Sequence, residues 1–147
     1  MTLATGPRRP RVPVAVYLCT GETDTVELLA NYCHQYARAR EWTIHDTVHD
    51  PDRRQQLAER PGWAQVFAAV RGGEVSGIVT LSLPMVAAGV DGSPDWESYS
   101  ALRQTIAGLG GFLIAIRADW HLDVRRTGSE LARRHTLSTR AAGWEEP

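Results

Sequence analysis

His45, Asp46, His49 and Asp50 fall within one short stretch of the chain, and imidazoles beside carboxylates are the donor types of a metal site. The stretch that carries them alternates apolar Trp42, Ile44 and Val48 with polar Thr43, His45 and Thr47, which is the pattern of a strand with one wetter face. On a strand, residues four apart are separated by about 13 Å, too far to share one ion. These side chains are therefore expected to line a solvated strand edge, and no metal is assigned. Asp119, His121 and Asp123 form a looser cluster on an irregular segment and carry no stronger expectation.

The turn Thr20-Gly21-Glu22-Thr23 follows an apolar run and opens a helix, and a helix N-terminus is by nature an anion site. The glycine spacing and the lysine of a phosphate-binding loop are missing, and Glu22 and Asp24 already satisfy the helix end. A capped helix is the expectation. A receiver-type phosphorylation site needs an acidic pocket with a lysine, and all the basic residues here are arginine. Cys19 and Cys33 stand at core-facing positions without metal-type spacing and read as buried thiols. No Ser-His-Asp or Cys-His pairing follows from spacing, because such sets are defined by geometry.

Two surface candidates remain. Arg125, Arg126, Arg133, Arg134 and Arg140 form a modest basic tail able to contact DNA phosphates. The stretch Pro84 to Gly92 carries Met85, Val86 and Val90, which suit an uncharged ligand, a protein partner or an ordinary packed loop alike.

These residues must be positioned by a single domain. The chain has 147 residues and a net charge of −1, enough for one core and too little positive charge for the whole chain to act as an electrostatic nucleic-acid binder. Val12 to Cys19 is apolar on both faces and belongs in the middle of a covered sheet. Asp24 followed by Glu27 predicts a capping box, and Val26, Leu29, Ala30, Cys33, Tyr36 and Ala37 predict a helix to about Arg40. Pro61 predicts the start of a second helix with Trp63, Val66, Phe67 and Val70 inward and a stop at Gly72 and Gly73. Gly77 to Leu83 predicts a second central strand. Ser93-Pro94 predicts the start of a third helix that buries Trp96, Tyr99, Leu102, Ile106 and Leu109, and Phe112 to Ile116 a fourth strand.

Strands alternating with helices predict a three-layer α/β fold: a mostly parallel central sheet of four or more strands with helices on both faces. The expected organisation is a flexible basic arm over residues 1–13, the α/β domain over 14–118 and the arginine-rich tail, with a short helix, over 119–147. No signal peptide or membrane span is recognisable, so the reading is of a cytoplasmic protein without a membrane partner.

The order of these pieces resembles the catalytic domain of serine recombinases, the resolvase and invertase family. The resemblance runs from about Val14 to Arg117. It rests on Val16 to Leu18, on Tyr32-Cys33 in the first helix, on the strand ending in Asp50, on Arg60-Pro61-Gly62-Trp63, and on Gly-Gly-Glu-Val-Ser-Gly-Ile-Val before the third strand. It implies a resolvase-like fold. It also implies an active site whose first strand ends in Tyr-x-Arg-x-Ser and whose third ends in Asp-Arg-x-x-Arg. Here Tyr17 matches, but Cys19 stands at the arginine position and Gly21 at the serine position. Leu83, Pro84 and Ala87 fall where the aspartate and two arginines stand, and no arginine lies between Arg71 and Arg103.

Of the family set, Tyr17, Asp50 and Arg60 remain as vestigial positions. A serine nucleophile and the cations that stabilise a phosphoryl transition state are absent, so strand exchange is not expected. The expectation is a catalytically inactive serine-recombinase-like domain with an accessory or regulatory role. It would bind itself as a homodimer, bind another protein, or hold DNA weakly and without sequence preference through the tail, and no cofactor is assigned. The alternative is an enzymatic or small-ligand-binding α/β domain with a rebuilt pocket between the ends of the first and third strands.

Overall fold

In the computed structural model the described residues are 11–117. Most of the expected basic arm and the tail arginines Arg125, Arg126, Arg133, Arg134 and Arg140 lie outside them.

Strand β1 (Val12–Cys19) is followed by helix α1 (Thr23–Ala39), β2 (Trp42–Asp50), α2 (Pro61–Arg71), β3 (Gly77–Ser82), α3 (Trp96–Gly108) and β4 (Phe112–Arg117). The four strands form one sheet in the order β2-β1-β3-β4, and every pairing is parallel. Every residue of β1 from Val14 to Cys19 is buried, as its unbroken apolar run requires of an inner strand. The strand begins at Val12, as the apolar run predicts, so Val12 and Pro13 belong to the sheet and the expected arm over 1–13 overlaps it by two residues. The carbonyl of Pro13 accepts from the Ser76 N–H at 2.7 Å.

The two faces of the sheet can be read from its register, because neighbours across a parallel ladder share a face. Trp42 lies opposite Val12, and Gly77 opposite both Val14 and Phe112. On this face Tyr36 of α1 packs against Trp42 with ring centroids 6.1 Å apart, and Trp42 reaches Phe112 at 5.1 Å. A side chain at Gly77 would overlap the Phe112 ring, so glycine is what lets Phe112 lie across the sheet. On the opposite face Trp63 of α2 meets Tyr17 edge-on, with centroids 5.2 Å apart.

Strand β2 changes face partway along. Val14 pairs with Ile44 but Ala15 pairs with Asp46, so His45 is the extra residue of a β-bulge. Before it, Trp42 and Ile44 face α1. After it, Asp46, Val48 and Asp50 share the face of Ala15, Tyr17 and Cys19, beneath α2. Two contacts across the layers agree: Gln65 of α2 donates to Asp46 at 2.8 Å, and His34 of α1 lies 2.9 Å from the Thr47 hydroxyl.

Several local expectations are corrected. No capping box forms at α1, whose N-cap is Glu22 and makes no side-chain cap. The cap of α3 is Asp95, which accepts from the Ser98 N–H at 3.2 Å and the Ser98 hydroxyl at 2.8 Å. Ser93 is occupied with Asp91, and Pro94 forms an antiparallel bridge with Ala88. Trp96 is 57% exposed and Leu109 38%, so the buried stripe of α3 is narrower than its apolar residues suggest. Strand β3 ends at Ser82, and Leu83–Met85 turn as a short 3-10 helix.

Candidate functional site

The carboxyl ends of β1 and β2 meet at Cys19, Thr20 and Asp50. Thr20 extends the ladder, its N–H donating to the Asp50 carbonyl at 3.0 Å. The His49 ring donates through Nε2 to the Thr20 carbonyl at 2.8 Å, since a carbonyl oxygen can only accept. Thr20 is wholly buried, and its hydroxyl accepts from the Glu22 N–H at 3.2 Å. Gly21 is exposed, and a Cβ there would stand 3.3 Å from the Pro51 carbonyl.

Beneath this turn Tyr17, Asp50 and Arg60, the three positions that the resemblance singled out, come together. The Tyr17 hydroxyl donates to Asp50 Oδ2 at 2.8 Å and accepts from Arg60 Nη1 at 3.3 Å. Asp50, 2% exposed, also accepts from the Gly62 N–H at 2.8 Å and the Trp63 N–H at 2.9 Å. These are orphan donors of the first turn of α2, whose own N-cap, Arg60, provides no side-chain cap. Asp50 therefore caps α2 from a neighbouring strand. It is in place to do so because the bulge at His45 turns this half of β2 toward α2. The expectation that Asp50 lines a solvated edge is thereby corrected.

The other members of the histidine and carboxylate cluster point to separate partners. Asp46 takes Gln65, His49 takes Thr20, and His45 lies 3.9 Å from Glu74.

Arg60 is 5% exposed and bonded almost entirely inward. Its Nε donates to the Gln55 carbonyl at 2.9 Å, Nη2 to the Arg53 carbonyl at 3.0 Å and Nη1 to the Met85 carbonyl at 2.7 Å. The guanidinium thus ties the irregular segment before α2 to the turn after β3. Burial pushes the Tyr17 hydroxyl far above its ordinary range, only partly offset by Arg60. Burial also raises the Cys19 thiol, with Arg60 opposing, and lowers Arg53, whose guanidinium is further disfavoured by the charge of Arg60.

The stretch after β3 is largely packed inside, one of the alternatives that its apolar residues left open. Leu83, Met85, Val86 and Ala87 are buried, and Met85 Sδ accepts from the Thr80 hydroxyl at 3.6 Å. Met85 therefore presents only its backbone carbonyl to the site, while Val90 is fully exposed. A cleft of about 950 Å³ does exist, but it is not between the ends of β1 and β3. Its walls are the segment Arg53 to Leu57, the stretch Val86 to Val90, and the face of α3 bearing Ser98, Ala101, Leu102 and Thr105.

Residue spacing did not reveal this cleft. The only sequence signal for its third wall is Ser98, Ala101, Leu102 and Thr105 at one-face helical spacing, small enough to leave room. Gly62 was likewise missed as a site residue. A Cβ there would come within 2.8 Å of both Asp50 carboxylate oxygens.

Neither a family model nor a curated protein matches the chain. Solved structures do. The C-terminal catalytic domain of the ISC1926 TnpA, an IS607-like serine recombinase, aligns with a TM-score of 0.60 at 13% identity, over 88% of this chain and 84% of that one. The N-terminal catalytic domain of TP901-1 integrase aligns at 0.59 and 15% identity, over 87% and 97%. The first open reading frame of transposon ISC1904 from Sulfolobus solfataricus P2 aligns at 0.56 and 15% identity, over 88% and 86%. The chain has the fold of a serine recombinase catalytic domain, as its sequence order implied.

Proposed function

We propose that this domain is a catalytically inactive serine-recombinase-like module that works by association. The partner is a protein, including a second copy of the chain, or DNA held loosely through Arg125, Arg126, Arg133, Arg134 and Arg140.

The observation that carries this reading is the direction of Arg60. A transferred phosphoryl group needs cations turned toward it, and this guanidinium is spent on Tyr17 and on three backbone carbonyls inside the fold. The exit of β1 supports the same reading. Gly21 offers no hydroxyl, Thr20 is buried, and exposed Thr23 stands between Glu22 and Asp24, whose charges repel a phosphate. Association is supported by Val90 and Trp96, two large apolar side chains left in solvent on segments that the Ala88 and Pro94 bridge holds side by side.

Incubation of the purified chain with supercoiled plasmid tests the first half. The expected result is neither nicking nor a covalent protein-DNA adduct, and either product overturns the proposal. For the tail, DNA affinity should fall steeply with salt and weaken uniformly across sequences when Arg133 and Arg134 become Ala. Binding that ignores both changes removes the tail from the account.

A further inference from the structure

The cleft walled by Arg53 to Leu57 and by α3 takes in Arg60 and Ala87, two positions of the resembled active site, and its chemistry is specific. Of the described residues that line it none is acidic, while Arg53, Arg54 and Arg60 all do so. Between the arginines and α3 the lining turns apolar, with Leu57, Val86, Ala87 and Leu102. Gln55, Gln56, Ser98 and Thr105 add neutral hydrogen-bonding groups. The Thr105 hydroxyl donates to the Ala101 carbonyl and that of Ser98 to Asp95, so both present acceptor lone pairs outward.

We propose that this cleft binds a small organic anion. Its charged group meets the guanidiniums of Arg53 and Arg54, and its apolar body lies against Leu57, Val86 and Leu102. The volume, about 950 Å³, lies within the range of roughly 300–1,000 Å³ found for small-molecule sites. Three guanidiniums and no carboxylate among the described lining residues give the cleft a basic character. Arg60 makes no ion pair within 4 Å among the described residues, and its bonds to carbonyls leave its charge in place. Arg54 does pair with Asp52 at 3.2 Å, but that pair is exposed and screened. The half-buried Arg53 guanidinium is disfavoured first by burial and also by the charge of Arg60, and the opposite charge of an incoming anion offsets these costs. A neutral ligand would forgo that gain.

The test uses 2-naphthoate as probe, with 2-naphthamide as its neutral counterpart and inorganic phosphate as an anion without an apolar body. Binding is followed by amide chemical shifts of the full chain. Saturable 2-naphthoate binding is expected, with shifts centred on Gln55, Ala88, Ala101 and Thr105, and with affinity at least tenfold above that of 2-naphthamide and of phosphate. Arg53→Gln should weaken 2-naphthoate at least fivefold. Ala101→Trp, a change at an exposed helical position, should abolish binding by filling the cleft while leaving the thermal midpoint within a few degrees. Equal binding of the amide, equal binding of phosphate alone, shifts centred elsewhere, or unchanged affinity in Ala101→Trp would each overturn the proposal.

Discussion

The Tyr17 hydroxyl donates to the Asp50 carboxylate at 2.8 Å across 33 residues of sequence, and that same carboxylate caps α2 through the Gly62 and Trp63 N–H groups. Removing the carboxylate strands three buried donors at once. Asp50→Ala is therefore expected to destabilise the domain by roughly 3–5 kcal/mol, and Tyr17→Phe, which loses one hydroxyl, by about 1–2 kcal/mol. Urea unfolding of both variants and of the double variant measures this. The double should cost clearly less than the sum, because the two groups share one bond. Strict additivity, or a cost under about 1 kcal/mol for Asp50→Ala, would show that the network does not hold the fold.

Gly62 and Gly108 separate helix propensity from packing. Both lie in helices, where alanine is intrinsically favoured over glycine by about 0.5–1 kcal/mol. At Gly108 a Cβ meets nothing within 4 Å, so Gly108→Ala should gain about that amount. At Gly62 the Cβ would stand 2.7 Å from Val48 Cγ1 and 2.8 Å from both Asp50 oxygens. Gly62→Ala should thus cost about 1–3 kcal/mol through overpacking and loss of the cap. Thermal denaturation of the pair checks the opposite signs.

Burial raises three acids above their ordinary values: Tyr17 above 10.0, and Cys19 and Cys33 above 9.0. At alkaline pH the unfolded chain releases these protons while the folded chain keeps them. The folded state then binds more protons, and stability must fall as pH rises. The contribution is intact below about pH 9 and is lost progressively above it. The urea midpoint should therefore drop between about pH 9 and about pH 10.5, and the drop should be shallower in Tyr17→Phe and in Cys33→Ala. A midpoint that stays level over this range would contradict the burial of these groups.

Much of this fold is legible because it is local. The unbroken apolar run of β1 marks an inner strand, Pro61 marks the start of α2, and Gly72 with Gly73 marks its end. The order of elements further conveyed the resemblance to recombinase domains. What was hidden depends on contacts between distant segments. The alternation of β2 carries no sign of the bulge at His45, yet that one residue moves Asp50 from a solvated edge into the core. Ser93-Pro94 and Asp95 are each good helix starts, and Asp95 prevails because Ser93 bonds Asp91 and Pro94 bridges to Ala88. The apolar residues around Met85 suited a ligand site, a protein contact or a packed loop equally, and what decides is a distant group, the Arg60 guanidinium that bonds the Met85 carbonyl inside the fold.

Placing a hydroxyl at the exit of β1 tests the proposed inactivity. Gly21 is exposed, and a serine Cβ there would stand 3.3 Å from the Pro51 carbonyl, a contact that a shift of a few tenths of an ångström relieves. Gly21→Ser should fold and place an alcohol at the exit of β1. It should still neither nick supercoiled DNA nor form an adduct, because a serine alone lacks the cations that a phosphoryl transition state requires. Adding Cys19→Arg does not supply them. Cys19 is wholly buried, so a guanidinium there enters the interior beside Arg60 and Arg53, at a cost on the order of several kcal/mol. The double variant should show a strongly lowered thermal midpoint and no activity. A covalent DNA adduct from Gly21→Ser, detected on a denaturing gel, would mean that the remaining arginines can be recruited, and the domain would have to be read as a recombinase one residue short of its chemistry.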